Sequence, residues 1–381
     1  FDQIVLTPRF KTADRFPLPA NVVVEDSFAN IFSRSVTKSE LVSLTLSSGV
    51  LRQENSGVWN SPSRVLALKQ LVWSLNNARR VRGWLEKYAI DKQIDFANTL
   101  FYTYWLGDAT LGISLLKRKV PQIKLISRAH RVDLYEERRE YGYIPGRRFT
   151  LEMLNWLFLI SQHGKEYIES KYPGFSDRFK VARLGVKNPG FLNLASADGE
   201  FRIVSCSAIT PVKRVDRLAR ALVEVGEKNP NQSFRWYHFG DGELMEQVNH
   251  IVKDLPPNVY ANLCGKISNE EIYRFYMDHP VDLFVNLSAS EGLPVSIMEA
   301  QSVGIPVLAT AVGGTPEIVS QENGWLLSAD VSVTEIADSI ISALFWLRDN
   351  PAKRRASFET WKLDYDADRN YQRFARQISE I

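Results

Sequence analysis

The sequence predicts an α/β protein made of two doubly wound domains, each a sheet of parallel strands with crossover helices. Three features predict it. A chain of 381 residues exceeds what one ordinary hydrophobic core organises, so two domains are expected. From Phe201 to Leu327, short strand-like runs alternate with helical patterns, and such alternation implies parallel pairing through crossover helices. The runs themselves, FVNL and PVLATA among them, are continuously apolar, as strands covered on both faces must be.

Taken in order, Asp2–Leu6 and Asn21–Val24 read as strands. Ser63–Tyr88 reads as a long helix, with apolar Val65, Leu66, Leu68, Leu71, Val72 and Leu75 at helical spacing. Phe96–Trp105 and Ile123–Ala129 read as strands, each followed by helix. The second half is more regular. Its expected strands are Phe201–Ala208, Ser233–Gly240, Asn258–Gly265, Val281–Leu287, Pro306–Ala311 and Gly324–Leu327. Helices Val215–Glu227, Glu243–Lys253, Asn269–Tyr276, Val295–Val303 and Pro316–Val319 fall between them or after them. The polar stretch LGVKNPGFLNLASADGE, residues 184–200, lies between strands and marks the linker. The expected domains are therefore 1–186 and 187–365, with 366–381 as a terminal helix.

Composition narrows the class. Hydrophobic residues make up 45% and charged residues 24%, ordinary for a globular protein, and no apolar run is long enough to span a bilayer. Cys206 and Cys264 sit in separate strand-like runs, which argues for a reducing compartment and against a disulfide framework or a zinc site. The chain opens at Phe1 without a charged-then-apolar leader, so a cytoplasmic location is expected. The net charge of +3 divides unevenly. Residues 1–187 carry 29 Lys and Arg against 18 Asp and Glu, whereas residues 188–381 carry 18 against 26. Basic clusters stand at Arg79, Arg80 and Arg82, at Lys117, Arg118 and Lys119, and at Arg147 and Arg148. Any one cluster is ordinarily a solvated surface, but a bias across a whole domain favours an anionic partner. An anionic membrane surface fits better than nucleic acid, because no zinc finger, RNA-binding aromatic motif or long basic helix is present.

The chemistry concentrates in SASEGLPVSIMEAQSVGIPVLATAVGGTPEIV, from Ser288 to Val319. Glu291 ends a loop after a strand, and Gly292 lets backbone approach a ligand closely. Pro294 suits the first turn of a helix. That helix begins at the carboxyl end of a parallel strand, where open α/β sheets bind ligands, and its free amides and positive dipole end favour a diphosphate. Glu299, about a turn further on, is placed to accept hydrogen bonds from a ribose diol. Singly, each piece has a plainer reading: a solvated loop acid, an exposed helix residue, a Gly313–Gly314 turn. Their order in one run is what makes a site.

These residues resemble the retaining glycosyltransferases of family four, which share the GT-B fold of two Rossmann-like domains facing a cleft. Two glutamates with seven residues between them, Glu291 and Glu299 in EGLPVSIMEA, are that family's hallmark. The resemblance continues through GIPVLATAVGGTPEIV, YHFGDGEL, CGKISNEEIYRFY, VARLGV and SRAHRVDLYEE, from about residue 96 to 328. It implies a sugar transferred from a nucleotide diphosphate sugar to a glycan or lipid-linked acceptor, with retained configuration and no metal or other cofactor. Polysaccharide assembly at the inner face of the membrane is the family-level expectation. Glu299 would bind the ribose and Glu291 the transferred sugar. Backbone of Gly292, Leu293, Pro294 and Val295 would contact phosphate or sugar, and backbone of Lys266 and Ile267 would frame the base. Lys213, in SAITPVKRVDRL, would neutralise the pyrophosphate, the charge that grows as the nucleotide departs. His130 would touch the sugar from the first domain, and Asp133 would cap or orient its loop.

Two departures qualify the resemblance. The family arginine five positions before the lysine is Ala208 here, so either its charge comes from Arg214 or from elsewhere, or donor binding is weaker. Phe1–Leu6 resembles the family's second strand, so the opening strand, Gly-rich loop and helix are expected to be absent or diverged. These departures motivate an alternative, a non-catalytic or regulatory sugar-nucleotide-binding protein; a GT-B epimerase is a further one. The terminal segment WKLDYDADRNYQRFARQI is amphipathic through Tyr371, Phe374, Ala375 and Ile378, and in GT-B folds such a helix crosses back onto the first domain.

Overall fold

A computed structural model describes residues 1–10, 17–32, 54–348 and 350–381 of the chain. It divides into two compact units. The first comprises Phe1–Leu159 and Lys165–Val181 with Ile381, and the second Ile160–Gly164 and Ala182–Glu380.

In the first unit, a four-stranded parallel sheet runs β3 (Leu100–Thr103), β4 (Lys124–Ala129), β5 (Trp156–Leu159) and β6 (Phe179–Val181) in that spatial order. Strands β1 (Ile4–Leu6) and β2 (Val22–Val24) form a separate parallel pair. After the short helix α1 (Asn55–Asn60) comes α2 (Arg64–Asp91), 28 residues long. Helix α2 buries Leu71, Leu75, Ala78, Val81 and Leu85 at helical spacing against α3 (Asp108–Lys117), whereas Val65, Leu66 and Leu68 of the expected apolar set are exposed. Helices α4 (Arg131–Leu134), α5 (Arg147–Met153) and α6 (Gln162–Lys171) follow β4 and β5. The expected strand Phe96–Trp105 shortens to β3, because Asp95 turns the chain: its carboxylate accepts from the Ala97 amide and the Asn98 side chain.

The second unit is a six-stranded, wholly parallel sheet. In chain order its strands are β7 (Glu200–Cys206), β8 (Ser233–Phe239), β9 (Val259–Leu263), β10 (Leu283–Asn286), β11 (Val307–Thr310) and β12 (Gly324–Leu327). In space they run β12-β11-β10-β7-β8-β9. The helices between them are α7 (Val215–Lys228), α8 (Met245–Val252), α9 (Asn269–Asp278) and α10 (Val295–Ser302). Helix α7 shows why they form. Val215, Leu218, Ala219, Leu222 and Val225 recur at helical spacing and are buried against the sheet, while the charged residues face out. The two sheet faces carry separate cores, one around Trp236, Leu222 and Ile340, the other around Phe284, Ile297 and Trp361. Trp236 is fully buried, and its indole donates to Ser205 Oγ at 2.9 Å.

The expected helix Pro316–Val319 is instead one 3-10 turn, Thr315–Glu317. Sequence periodicity did not anticipate α11 (Val333–Arg348) or α12 (Ala352–Thr360). A π-helical turn, Trp361–Tyr365, joins α12 to the terminal helix α13 (Ala367–Ile378). The start of α13 is tied to the linker: Ala367 N donates to Val186 O at 3.1 Å, and Asn370 Nδ2 to Leu184 O at 2.9 Å.

Candidate functional site

Strand order decides where a ligand can sit in the second unit. The chain winds outward from β7 through β8 to β9, then returns to β10 and winds the other way. The loops leaving the carboxyl ends of β7 and β10 therefore diverge, and open α/β sheets bind ligands in that crevice. Lys213 is on the loop after β7, and Glu291 on the loop after β10.

Hydrogen bonds fix these loops to each other. The Ala289 amide donates to Val212 O at 2.7 Å, and Thr310 Oγ1 donates to Ser288 O at 2.6 Å. The loop after β8 is pinned as well: Ser207 N donates to Phe239 O at 3.0 Å, and Ile209 N to Asp241 O at 3.0 Å. Gly240 has φ +141°, and a Cβ there would stand 1.8 Å from Ser207 O. Gly313 (φ +55°) plays the same part on the other side, where a Cβ would stand 1.9 Å from Glu291 O. The Gly313–Gly314 turn is thus the backing of the Glu291–Gly292 loop, and Gly314 N donates to Gly292 O at 2.8 Å.

Held this way, Lys213 Nζ donates to Glu291 Oε1 at 2.5 Å. The carboxylate is buried, with 7% of the residue exposed, and the lysine side chain is 24% exposed. Pro294 is the N-cap of α10, so the helix opens at Val295, and its first amides have no intrahelical acceptor. Leu293 is buried in the core, whereas Val295 is exposed. Glu299, in the second turn of α10, is also buried, and Asn269 Nδ2 donates to its Oε1 at 2.6 Å. Burial raises the Glu299 carboxyl to about 7, against a smaller lowering from Asn269. Cys206, the last residue of β7, is pushed up to about 12 by burial and then by the Glu299 charge, with Lys213 opposing. Cys206 and Lys213 line the same small cavity. Asn269 and Cys206 are members of the cluster that sequence reasoning missed. Only the capping pattern of S-N-E-E, which starts α9 at Asn269, could have flagged the first.

The other expected residues are placed less uniformly. Lys266 is exposed and Ile267 half-buried, between Gly265 and the capping residue Ser268. Arg214 is the N-cap of α7, with φ +52°, and its guanidinium donates to Ala329 O at 2.5 Å rather than toward Glu291. Ala208 is exposed. The second unit thus pairs Lys213 with Glu291 and places Glu299 further along α10, where it pairs with Asn269, and it does not turn Arg214 to either glutamate. The cavity beside Lys213 is about 10 Å³, no more than one water's room, and its lining includes neither glutamate.

His130 belongs to the first unit, at the carboxyl end of β4 and the N-cap of α4. Asp133 holds that turn, accepting from the His130 amide and the Leu106 amide, each at 2.6 Å. Burial outweighs these bonds and raises the Asp133 carboxyl to about 6. The imidazole packs against Tyr104 and Trp105 in tilted contacts, with centroids at 4.5 and 4.3 Å. Burial, then the Arg128 charge, lowers it to about 4, so it is neutral at pH 7, and neither ring nitrogen has a hydrogen-bond partner among the described residues.

The fold is that of the GT-B glycosyltransferases. A lipopolysaccharide outer core galactosyltransferase, WaaB, superposes with TM-score 0.62 at 16% identity, covering 81% of each chain. HepE of Anabaena, solved in complex with UDP, superposes with TM-score 0.63 at 18% identity, covering 79% of this chain and 82% of that one. Residues 192–358, within the second unit, match the family model of glycosyl transferases group 1. Among curated relatives, the amylovoran biosynthesis glycosyltransferase AmsK of Erwinia amylovora is 27% identical over 245 residues, 61% of this chain and 58% of its own. The O-antigen biosynthesis glycosyltransferase WbnH of Escherichia coli is 27% identical over 157 residues, 39% of this chain and 42% of its own. The chain thus spans about half the length of these relatives.

Proposed function

We propose that the chain transfers a sugar from a nucleotide diphosphate sugar to a glycan or lipid-linked acceptor, with retained anomeric configuration, in the assembly of a cell-surface polysaccharide. The observation that carries this reading is the Lys213–Glu291 pair at the switch point of the sheet, with the buried Glu299 further along α10. In this reading the diphosphate lies on the first amides of α10 and takes Lys213 from Glu291. The ribose diol meets the Glu299 oxygen that Asn269 leaves open. As the anomeric carbon–oxygen bond breaks, charge grows on the diphosphate, and Lys213 and the helix dipole stabilise it in place of a metal ion. Backbone at Lys266 and Ile267 frames the base. His130, in the first unit, is neutral at pH 7 and would offer a ligand a hydrogen bond rather than a charge. The relatives' part in amylovoran and O-antigen biosynthesis supports a polysaccharide product. The basic first half supports an acceptor met at an anionic membrane surface. Among the described residues no helix is long and apolar enough to cross a membrane.

Transfer from UDP- and GDP-sugars tests the reading. Lys213→Ala and Glu299→Ala are each expected to lower the rate by about 100-fold or more, in the range for loss of a group that stabilises developing charge. A chelator is expected to leave the wild-type rate unchanged. Wild-type rates in both variants would refute it.

A second reading, a sugar-nucleotide-binding protein without turnover, is favoured by one observation: Ala208 supplies no cation and Arg214 is turned to Ala329 O. Calorimetric binding of a nucleotide sugar, with no product formed from any acceptor tried, would select it.

A further inference from the structure

Lys117, Arg118 and Arg178 line a depression of about 500 Å³ in the first unit, at the end of the sheet where β5 begins. Helices α3 and α5 both end there. Each of the three cations is held by a neutral group. Lys117 Nζ donates to Asn155 Oδ1 at 2.6 Å, and the same oxygen accepts from the Leu125 amide at 2.8 Å. Arg178 Nη1 donates to the carbonyls of Leu151, Glu152 and Leu154 at 2.9, 2.8 and 3.1 Å. The Arg118 guanidinium lies 5.4 Å over the Phe149 ring. None of the three is in an ion pair among the described residues. A fourth cation, Lys180, lies over Trp156, which lines the same depression.

Glu152 and Asp177 are the acidic lining residues; Glu152 pairs with Arg148 at 3.5 Å, and Asp177 is exposed. Burial, then the like charge of Arg178, lowers the Lys117 amine to about 8. Two cations pressed together in a half-buried depression gain most from a bound anion, and three donors with a planar guanidinium among them suit the oxygens of a phosphate.

We propose that this depression is a phosphate-binding site, separate from the donor site and independent of the function proposed above. The phosphate is carried either by a small soluble molecule or by a lipid headgroup.

Thermal unfolding of the full chain in Lys213→Ala, which weakens anion binding at the donor site, tests it with inorganic phosphate and glycerol phosphate as probes. A rise in melting temperature with either probe is expected. In the Lys213→Ala background, adding Lys117→Gln or Arg118→Gln is expected to cut phosphate affinity at least 10-fold. Neither removes the Arg178 bonds that hold α5, and circular dichroism checks that each variant folds. A second arm is sedimentation with phosphatidylglycerol vesicles against phosphatidylcholine vesicles. Vesicle binding that is lost in Lys117→Gln and Arg118→Gln, without an effect of the soluble probes, assigns the phosphate to a lipid. Effects of the soluble probes alone assign it to a small molecule. If neither arm responds to Lys117 and Arg118, the proposal is wrong.

Discussion

Glu299 is a carboxylate kept at a cost. Its folded pKa of about 7 stands above the ordinary carboxylate value of 4.5, so folding favours its protonated form. That contribution is fully present below about pH 4.5 and is lost as the pH rises through 7. A shift of this size corresponds to about 3 kcal/mol of penalty on the ionised form above pH 7. Glu299→Gln is therefore expected to stabilise the ligand-free protein by up to about 3 kcal/mol at pH 8 and by little at pH 5, measured by denaturant unfolding. The same variant is expected to lose nucleotide affinity, and that loss would mark the penalty as functional rather than incidental. Asn269 supplies the opposing influence. Asn269→Ala is expected to move the pH midpoint of nucleotide binding upward from about 7, because the ionised carboxylate loses its hydrogen bond. An unchanged midpoint would show that Glu299 is not the group whose ionisation controls binding. The glutamate pair was legible in sequence, since its spacing is local to one loop and helix. Asn269 and Cys206 were not, because they reach Glu299 from strands and helices separated from it by tens of residues.

At the scale of elements, the loops after β7, β8 and β10 act as one piece. Gly313→Ala tests that: its Cβ would meet Glu291 O, and φ +55° is unfavourable for alanine. It is expected to cost about 1–3 kcal/mol of stability and to lower nucleotide affinity, because the backbone displaced is that of Glu291 itself. A stable variant with unaltered affinity would show that the Glu291 loop does not depend on this backing. Sequence periodicity recovered the six strands of the second unit, since each is a short apolar run between turn residues. It gave no spatial order, which depends on which strands pair. It also passed over β5 and β6. β5 lies within the apolar stretch Leu151–Ile160, where helix and strand patterns merge, and β6 is only three residues long. The 3-10 turn at Thr315–Glu317 read as helix because Pro and Glu suit a first helical turn, but the tightly packed Gly313 and Gly314 leave room for a single turn.

On the scale of the whole molecule, charge divides along the same line as the two units. The basic half would meet anionic acceptor surfaces, while the acidic half sets Lys213 against Glu291 at the switch point. That local cation is what an anionic donor would find in an otherwise acidic half, so the account stands or falls on Lys213. Calorimetric titration of UDP and GDP into the wild type, Lys213→Ala and Glu299→Ala is the most direct test. Binding of one nucleotide to the wild type is expected, weakened at least 10-fold by each substitution, with Lys213→Ala binding the nucleoside monophosphate almost as well as the wild type does. Equal affinity of all three proteins for the diphosphate would contradict the assignment of the switch point as the donor site.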